Sequence, residues 1–232
     1  MPTDLSTALF LDLETTPDGR RVLDAGAVMG TTEWRSKRLD ELKPLIANAA
    51  VIAGHNLLRH DLPVLRQRMG DDLLNGKALI DTLGWSALLY ADKPYHKLVK
   101  GYQLVDEEAE NNPLSDAKLC KRLLEEMLGR FAALDPGLRA VYAHLLHDKP
   151  GYAPLFSMAG NAQPGGPPLH EIRERFADHC CAQAELAAML SAHPVELAHV
   201  LALIATVDDA SVLPPWVVHA MPITQDLLHT LR

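Results

Sequence analysis

The sequence predicts an α/β domain followed by a helical extension. Two observations carry this. Across the first 90 residues, short apolar runs of strand length alternate with helix-spaced segments. Beyond about residue 115 the apolar pattern is helical almost throughout.

The elements follow in order. Residues 7–13, Thr-Ala-Leu-Phe-Leu-Asp-Leu, form an apolar run that reads as a buried strand ending at Glu14. Thr15 to Gly19 is turn chemistry. Residues 21–29 and 31–35 read as two further strands around Gly30. Leu39, Leu42, Leu45 and Ile46 give helical spacing over 37–48, although Pro44 opposes a helix interior. A short strand, 50–53, stops at Gly54-His55-Asn56. Asp61 to Met69 reads as a helix that tolerates Pro63 in its first turn. Residues 78–81 form another strand, and 83–90 a helix. Residues 92–113 are polar and irregular. Ser115 is placed as the cap of a helix to about Ala133, and a further helix spans 136–147. Residues 148–168 read as a Pro/Gly-rich loop; 169–192, 195–206 and 223–231 read as helices. The domain division expected is a core at 1–135 and a helical extension, 136–232, packed on it.

Composition sets limits. Net charge is −8, with 30 acidic against 22 basic residues. Extensive grip on duplex phosphates by this chain alone is excluded, because that needs a basic surface. A small site reading a few nucleotides is not, nor is an acidic site that binds cations. Two divalent ions would halve the net charge. No apolar run reaches the length of a membrane span, and the N-terminus lacks the basic start of a signal peptide. Three cysteines, two of them adjacent, fit a reduced, cytoplasmic compartment.

The chemistry-bearing residues are carboxylates. Asp12 and Glu14 are two apart at the end of a buried strand, so their side chains point to one side. Neighbouring carboxylates repel and need a cation, a proton or strong hydrogen bonds. Asp61 and Asp116 sit in the first turns of later helices, aimed at the same cleft beside the strand ends, or serving only as helix N-terminal charges.

Leu11-Asp12-Leu13-Glu14-Thr15-Thr16 resembles the first motif of the DEDD, or DnaQ-like, superfamily of 3′–5′ exonucleases. Gly54-His55-Asn56 followed by His60-Asp61-Leu62 is similar to the second motif, with Asn five residues before Asp. Ile80-Asp81-Thr82-Leu83 resembles the strand that follows, and Asn112-Pro113-Leu114-Ser115-Asp116 the third motif. The resemblance spans residues 7 to about 130. It implies a ribonuclease-H-like five-stranded mixed sheet flanked by helices. It also implies two Mg²⁺ or Mn²⁺ ions on Asp12, Glu14, Asp61 and Asp116, as catalytic and metal residues. One ion would lower the pKa of a water and aim it at phosphorus, and the other would stabilise the leaving 3′ oxygen. Glu14 would hold the 3′ hydroxyl or that water. Thr15, Asn56, His60, His96 and Asn111 are the expected substrate contacts. The expected partner is a nucleic-acid 3′ end, single-stranded DNA first, with no membrane.

One departure matters. The family places a general base, His or Tyr, five or four residues before the last Asp. Here those positions are Asn111 and Asn112, and neither is a base near neutral pH. Three readings follow. The module is weak or inactive and retains only binding. His60, His96 or Tyr102 substitutes, His60 and His96 being otherwise plain loop residues. Or no protein base is needed and Asn111 orients the water.

Lys93, His96, Lys97 and Lys100 with Tyr95 and Tyr102 suit single-strand contacts, or form only a solvated loop. The extension carries no motif tied to chemistry. Its Pro214-Pro215-Trp216-Val217 stretch reads as a packed corner or a docking surface. Some proteins resembling this chain carry such a module at the N-terminus of a RecQ-like helicase, so an attached helicase region is a further expected partner. A kinase or phosphatase reading lacks support, because there is no Gly-rich phosphate loop and no Cys nucleophile motif.

Overall fold

The computed structural model describes residues 5–98, 112–160, 169–206, 214–220 and 222–231. Strand β1 (Ala8–Thr15) organises the first 83 residues. It pairs antiparallel with β2 (Val22–Met29), which pairs antiparallel with β3 (Thr32–Arg35). On its other side it pairs parallel with β4 (Val51–Gly54), and β4 pairs parallel with β5 (Ala78–Asp81). The result is a five-stranded mixed sheet in the order β3-β2-β1-β4-β5.

The two-residue period of β1 divides labour between its faces. Leu9, Leu11 and Leu13 join one buried cluster with Ala25, Ala27, Leu42, Ile46 and Leu65. That face is covered by a 3-10 turn (Leu39–Leu42), α1 (Lys43–Asn48) and α2 (Asp61–Met69). The predicted single helix over 37–48 is thus split, with Pro44 in the first turn of α1, where its missing N–H costs nothing. The alternate face carries Ala8, Phe10, Asp12 and Glu14.

That second face meets the start of α4 (Pro113–Ala133) at Gly26. A Cβ on Gly26 would lie 2.1 Å from the Leu114 backbone nitrogen. Only glycine allows the approach. Gly26 is the register partner of Asp12, so the approach sets the first turn of α4 beside Asp12. α4 begins earlier than the sequence suggests. Asn112, not Ser115, is its cap: Asn112 Oδ1 accepts from the Ser115 N–H at 3.2 Å.

The chain divides into two compact units, Met1–Leu83 with Lys97–Glu126 and Gly84–His96 with Met127–Arg232. Residues 84–96, expected within the core, group with the second unit. Helix α3 (Thr82–Leu89) and α4 contribute residues to both.

The second unit is helical: α5 (Pro136–Leu146), α6 (Ala153–Met158), α7 (Leu169–Arg175), α8 (Leu186–Ala192), α9 (Pro194–Thr206), α10 (Pro215–Ala220) and α11 (Pro222–Leu231). Leu197 to Ile204 of α9 are all buried. Trp85 packs on Phe131, Tyr152 and Phe156 at 5.1–5.6 Å and donates its indole N–H to the Gly151 carbonyl. Two expectations are corrected here. Residues 148–168 are not all loop, because α6 lies within them and takes Pro154 in its first turn. The helix expected over 169–192 is two helices, α7 and α8, parted by turns in which Phe176 O accepts from the His179 and Cys180 N–H groups. Trp216 and Val217 are buried, so their stretch is a packed corner.

We expect Gly26→Ala to destabilise the chain by about 1–3 kcal/mol in urea unfolding, because the new methyl meets backbone. Gly129→Ala, in the interior of α4 with open space at its Cβ, should instead stabilise by up to about 1 kcal/mol.

Candidate metal centre

Asp12, Glu14 and Asp116 offer carboxylate oxygens that all lie within 4.8 Å of one another. Each comes from a different local rule. The strand period puts Asp12 and Glu14 on one face of β1. The Gly26 approach and the Asn112 cap bring in Asp116, whose N–H is tied to the Asn112 carbonyl at 3.1 Å. The β1–β2 register shifts between Glu14 and Thr15, an irregularity at the point where the strand leaves the site.

Asp61 stands beside this group, at the first residue of α2 and fully buried. The β1–β4 ladder ends at Phe10–Ala53. Beyond it, Asp61 Oδ1 accepts the Leu13 N–H at 2.9 Å. Asp61 Oδ2 is buried and has no hydrogen-bond partner among the described residues. Burial raises the Asp61 carboxyl above the usual carboxylate range, against the lowering pull of His60 and Leu13.

Asp12 is raised as well. Burial first, then the charges of Asp61, Asp116 and Glu14, push its carboxyl from 3.8 up to about 8. His60 offsets part of this. Without a cation, the group therefore keeps a proton near neutral pH. Hard, crowded carboxylate oxygens and a buried oxygen lacking a donor are what a small divalent cation satisfies. Asp12, Glu14 and Asp116 could hold such an ion, and the donor set does not favour soft metals.

His60 is held at the rim. Its Nδ1 lies 3.3 Å from Asp61 Oδ1 and its Nε2 3.4 Å from Thr15 Oγ1. For the neutral ring, Nδ1–H donates to the carboxylate and Nε2 accepts from the hydroxyl. The Asp61 hydrogen bond leads the causes that raise its pKa above 6.5, ahead of the opposing effect of burial. Of the residues weighed as substitutes for a base, His60 is, among the described residues, the one found with the carboxylates.

Asn56 takes a left-handed backbone at φ 68°, which asparagine tolerates, and its carbonyl accepts from the Arg59 and His60 N–H groups. It builds the turn that delivers Asp61. His96 is not brought to the site. It is a buried residue of the second unit, with Nδ1 2.9 Å from Ser86 Oγ and its ring edge-on to Trp216. Asn111, Lys100 and Tyr102 lie outside the described residues; Tyr95 is exposed.

Nothing in the sequence gave Asp81 a role, yet it fixes the site. Its Oδ1 accepts from the Asn56 and Leu83 N–H groups and its Oδ2 from that of Leu58, all at 3.0 Å. Thr82 joins the same junction, with Oγ1 3.0 Å from His55 Nδ1. The only signal available was a carboxylate ending an apolar strand, the pattern shared with Asp12.

Comparison with protein-family models, with curated proteins and with solved structures finds no match for this chain. No helix among the described residues is long and apolar enough to cross a membrane. All three cysteines are free thiols.

The raised Asp12 carboxyl predicts the sign of a pH effect. Between about 4 and 8 the folded chain keeps a proton that the unfolded chain releases, so this group lowers stability as pH rises through that window. We expect added Mn²⁺ to raise the melting temperature more at pH 8 than at pH 6. Asp12→Asn should flatten both the pH dependence and the metal response. A metal response equal at the two pH values would contradict the site.

Proposed function

We propose that this chain is a divalent-metal-dependent 3′–5′ exonuclease of the DEDD, DnaQ-like type, built on a ribonuclease-H-like sheet. Its expected substrate is a nucleic-acid 3′ end, single-stranded DNA before others. One observation carries the reading: three carboxylates with oxygens within 4.8 Å, beside a buried Asp61 whose second oxygen lacks a donor. The strand order, with β1 central and β2 antiparallel to it, supports the fold assignment.

Bound Mg²⁺ or Mn²⁺ supplies positive charge at the scissile phosphate and acidifies the attacking water. The chain's own residues do the rest. Asp12, central to the group, fixes cation position against the strand. Glu14, further toward the strand end, orients the 3′ hydroxyl or the water. Asp61 holds the His60 ring through Nδ1, and Nε2 takes a proton from the water once the Thr15 hydroxyl turns its hydrogen bond away. Asn112 is already used as the α4 cap. A second reading keeps the same site as a non-catalytic module that presents a nucleic-acid end to an attached helicase. Asn112 favours it, since the position of a tyrosine-type base serves only to start a helix.

Turnover separates the two. With a 5′-labelled single strand in Mg²⁺ or Mn²⁺, the exonuclease reading predicts a ladder shortening from the 3′ end, abolished in Asp12→Asn. His60→Ala should lower kcat about 100-fold or more, with a smaller effect on KM. An unshortened strand that stays bound to the wild type selects the binding module. A His60→Ala protein at the wild-type rate removes His60 from proton transfer.

A further inference from the structure

The first unit holds a second polar feature that the carboxylate chemistry does not use. A cleft of about 440 Å³ is lined by Arg21, Lys37, Arg38 and Arg68, with Asp40 as its one carboxylate. Four converging cations are conspicuous in a chain of net charge −8. Asp40 is already paired with Lys43 at 2.5 Å, and Arg38 with Glu41 at 3.3 Å. Arg68 donates to the Arg20 carbonyl, which holds its guanidinium at the cleft. Arg21 and Lys37 have no ion-pair partner among the described residues, so their charge is available to a ligand.

Its placement is informative. Val22, also in the lining, is the register partner of Thr15, next to Glu14. The Thr16 N–H donates to the Arg21 carbonyl at 2.9 Å, closing the hairpin that joins the carboxylate strand to the cleft. Arg68 lies on α2, the helix whose first residue is Asp61. Seven helical steps separate the two, a rise of about 10 Å. Arg68 thus shares a helix with Asp61, and Arg21 lies in the hairpin that follows Glu14.

We propose that this cleft binds the phosphodiester backbone of the strand whose 3′ end the carboxylates hold. The inference rests on the exonuclease reading and names where the rest of its substrate lies. An acidic site repels the polyanion it must engage, and a cationic cleft reached through the hairpin after Glu14 and through α2 offsets that repulsion. The cleft supplies position and reads no sequence, since phosphate contacts carry none.

The test is the salt dependence of binding to a fluorescent single-stranded oligonucleotide in the Asp12→Asn background, where the strand stays intact. Each phosphate contact to a single strand contributes about 0.7 to the slope of log K against log salt. Adding Arg21→Ala with Lys37→Ala should lower the slope by about 1.4 and weaken binding about 25-fold at 0.1 M salt. The control is Lys118→Ala with Lys121→Ala. It removes the same charge near the opposite end of β2, where Lys121 donates to the Gly30 carbonyl, and should leave the slope unchanged. Equal falls in both double variants would reduce the effect to net charge and overturn the cleft. So would displacement of the strand by millimolar inorganic phosphate at constant ionic strength, which would make the ligand a free anion. An unmoved slope, in a protein whose wild type still shortens the strand, overturns the cleft alone. No binding in any variant, with no shortening by the wild type, overturns both readings.

Discussion

The close approach of α4 to β2 at Gly26 is the constraint on which the site depends. Asp12 and Glu14 are neighbours by strand geometry alone, but Asp116 is about 100 residues further along. It reaches them because the Leu114 backbone occupies the space that any other side chain at Gly26 would fill. The Asn112 cap then fixes the first turn, and Asp116 with it. Local backbone chemistry thus does what no attraction between carboxylates could do. The fold forces like charges together, and the leucine cluster packed on the other face of β1 helps the fold sustain the repulsion.

Burial, with that repulsion added, is also what gives the site its chemistry. A lone strand-end carboxylate would stay ionised and solvated. Here Asp12 is lifted to about 8, chiefly by burial, and Asp61 keeps one oxygen buried without a donor. A cation bound among these carboxylates would displace the proton that Asp12 keeps, which would couple occupancy of the site to the stability of the fold. Asp81 supports the arrangement from behind. It collects the Asn56 and Leu58 N–H groups of the turn that leads to Asp61, with that of Leu83 in α3, so the position of Asp61 depends on the end of β5. His60 is held between Asp61 and Thr15. An imidazole therefore stands beside the carboxylates.

Much of this was legible in the sequence, for physical reasons. A carboxylate in an apolar run is conspicuous, so Asp12 and Glu14 stood out, and β1, β2, β4 and β5 were marked by short apolar runs, with the polar β3 placed after the turn at Gly30. Asp61 to Met69 was readable as a helix from its spacing and first-turn proline. Tertiary contacts were not readable. Gly26 looks like any strand glycine until α4 is placed against it. His96 looked like a polar loop residue, but Ser86 and Trp216, 10 and 120 residues away, make it interior. Prolines misled in one direction: Pro44 and Pro154 lie in the first turns of α1 and α6, where breakers were expected. The turns after Phe176 interrupt a pattern whose apolar residues, Ile172, Phe176, Leu186 and Met189, suited one long helix.

The central claim is that these carboxylates hold a pair of divalent ions. Anomalous scattering from crystals soaked in Mn²⁺ tests it most directly. The account predicts two peaks about 3.5–4 Å apart among Asp12, Glu14, Asp61 and Asp116. Mn²⁺ bound elsewhere on the chain, with no peak at these carboxylates, would contradict it.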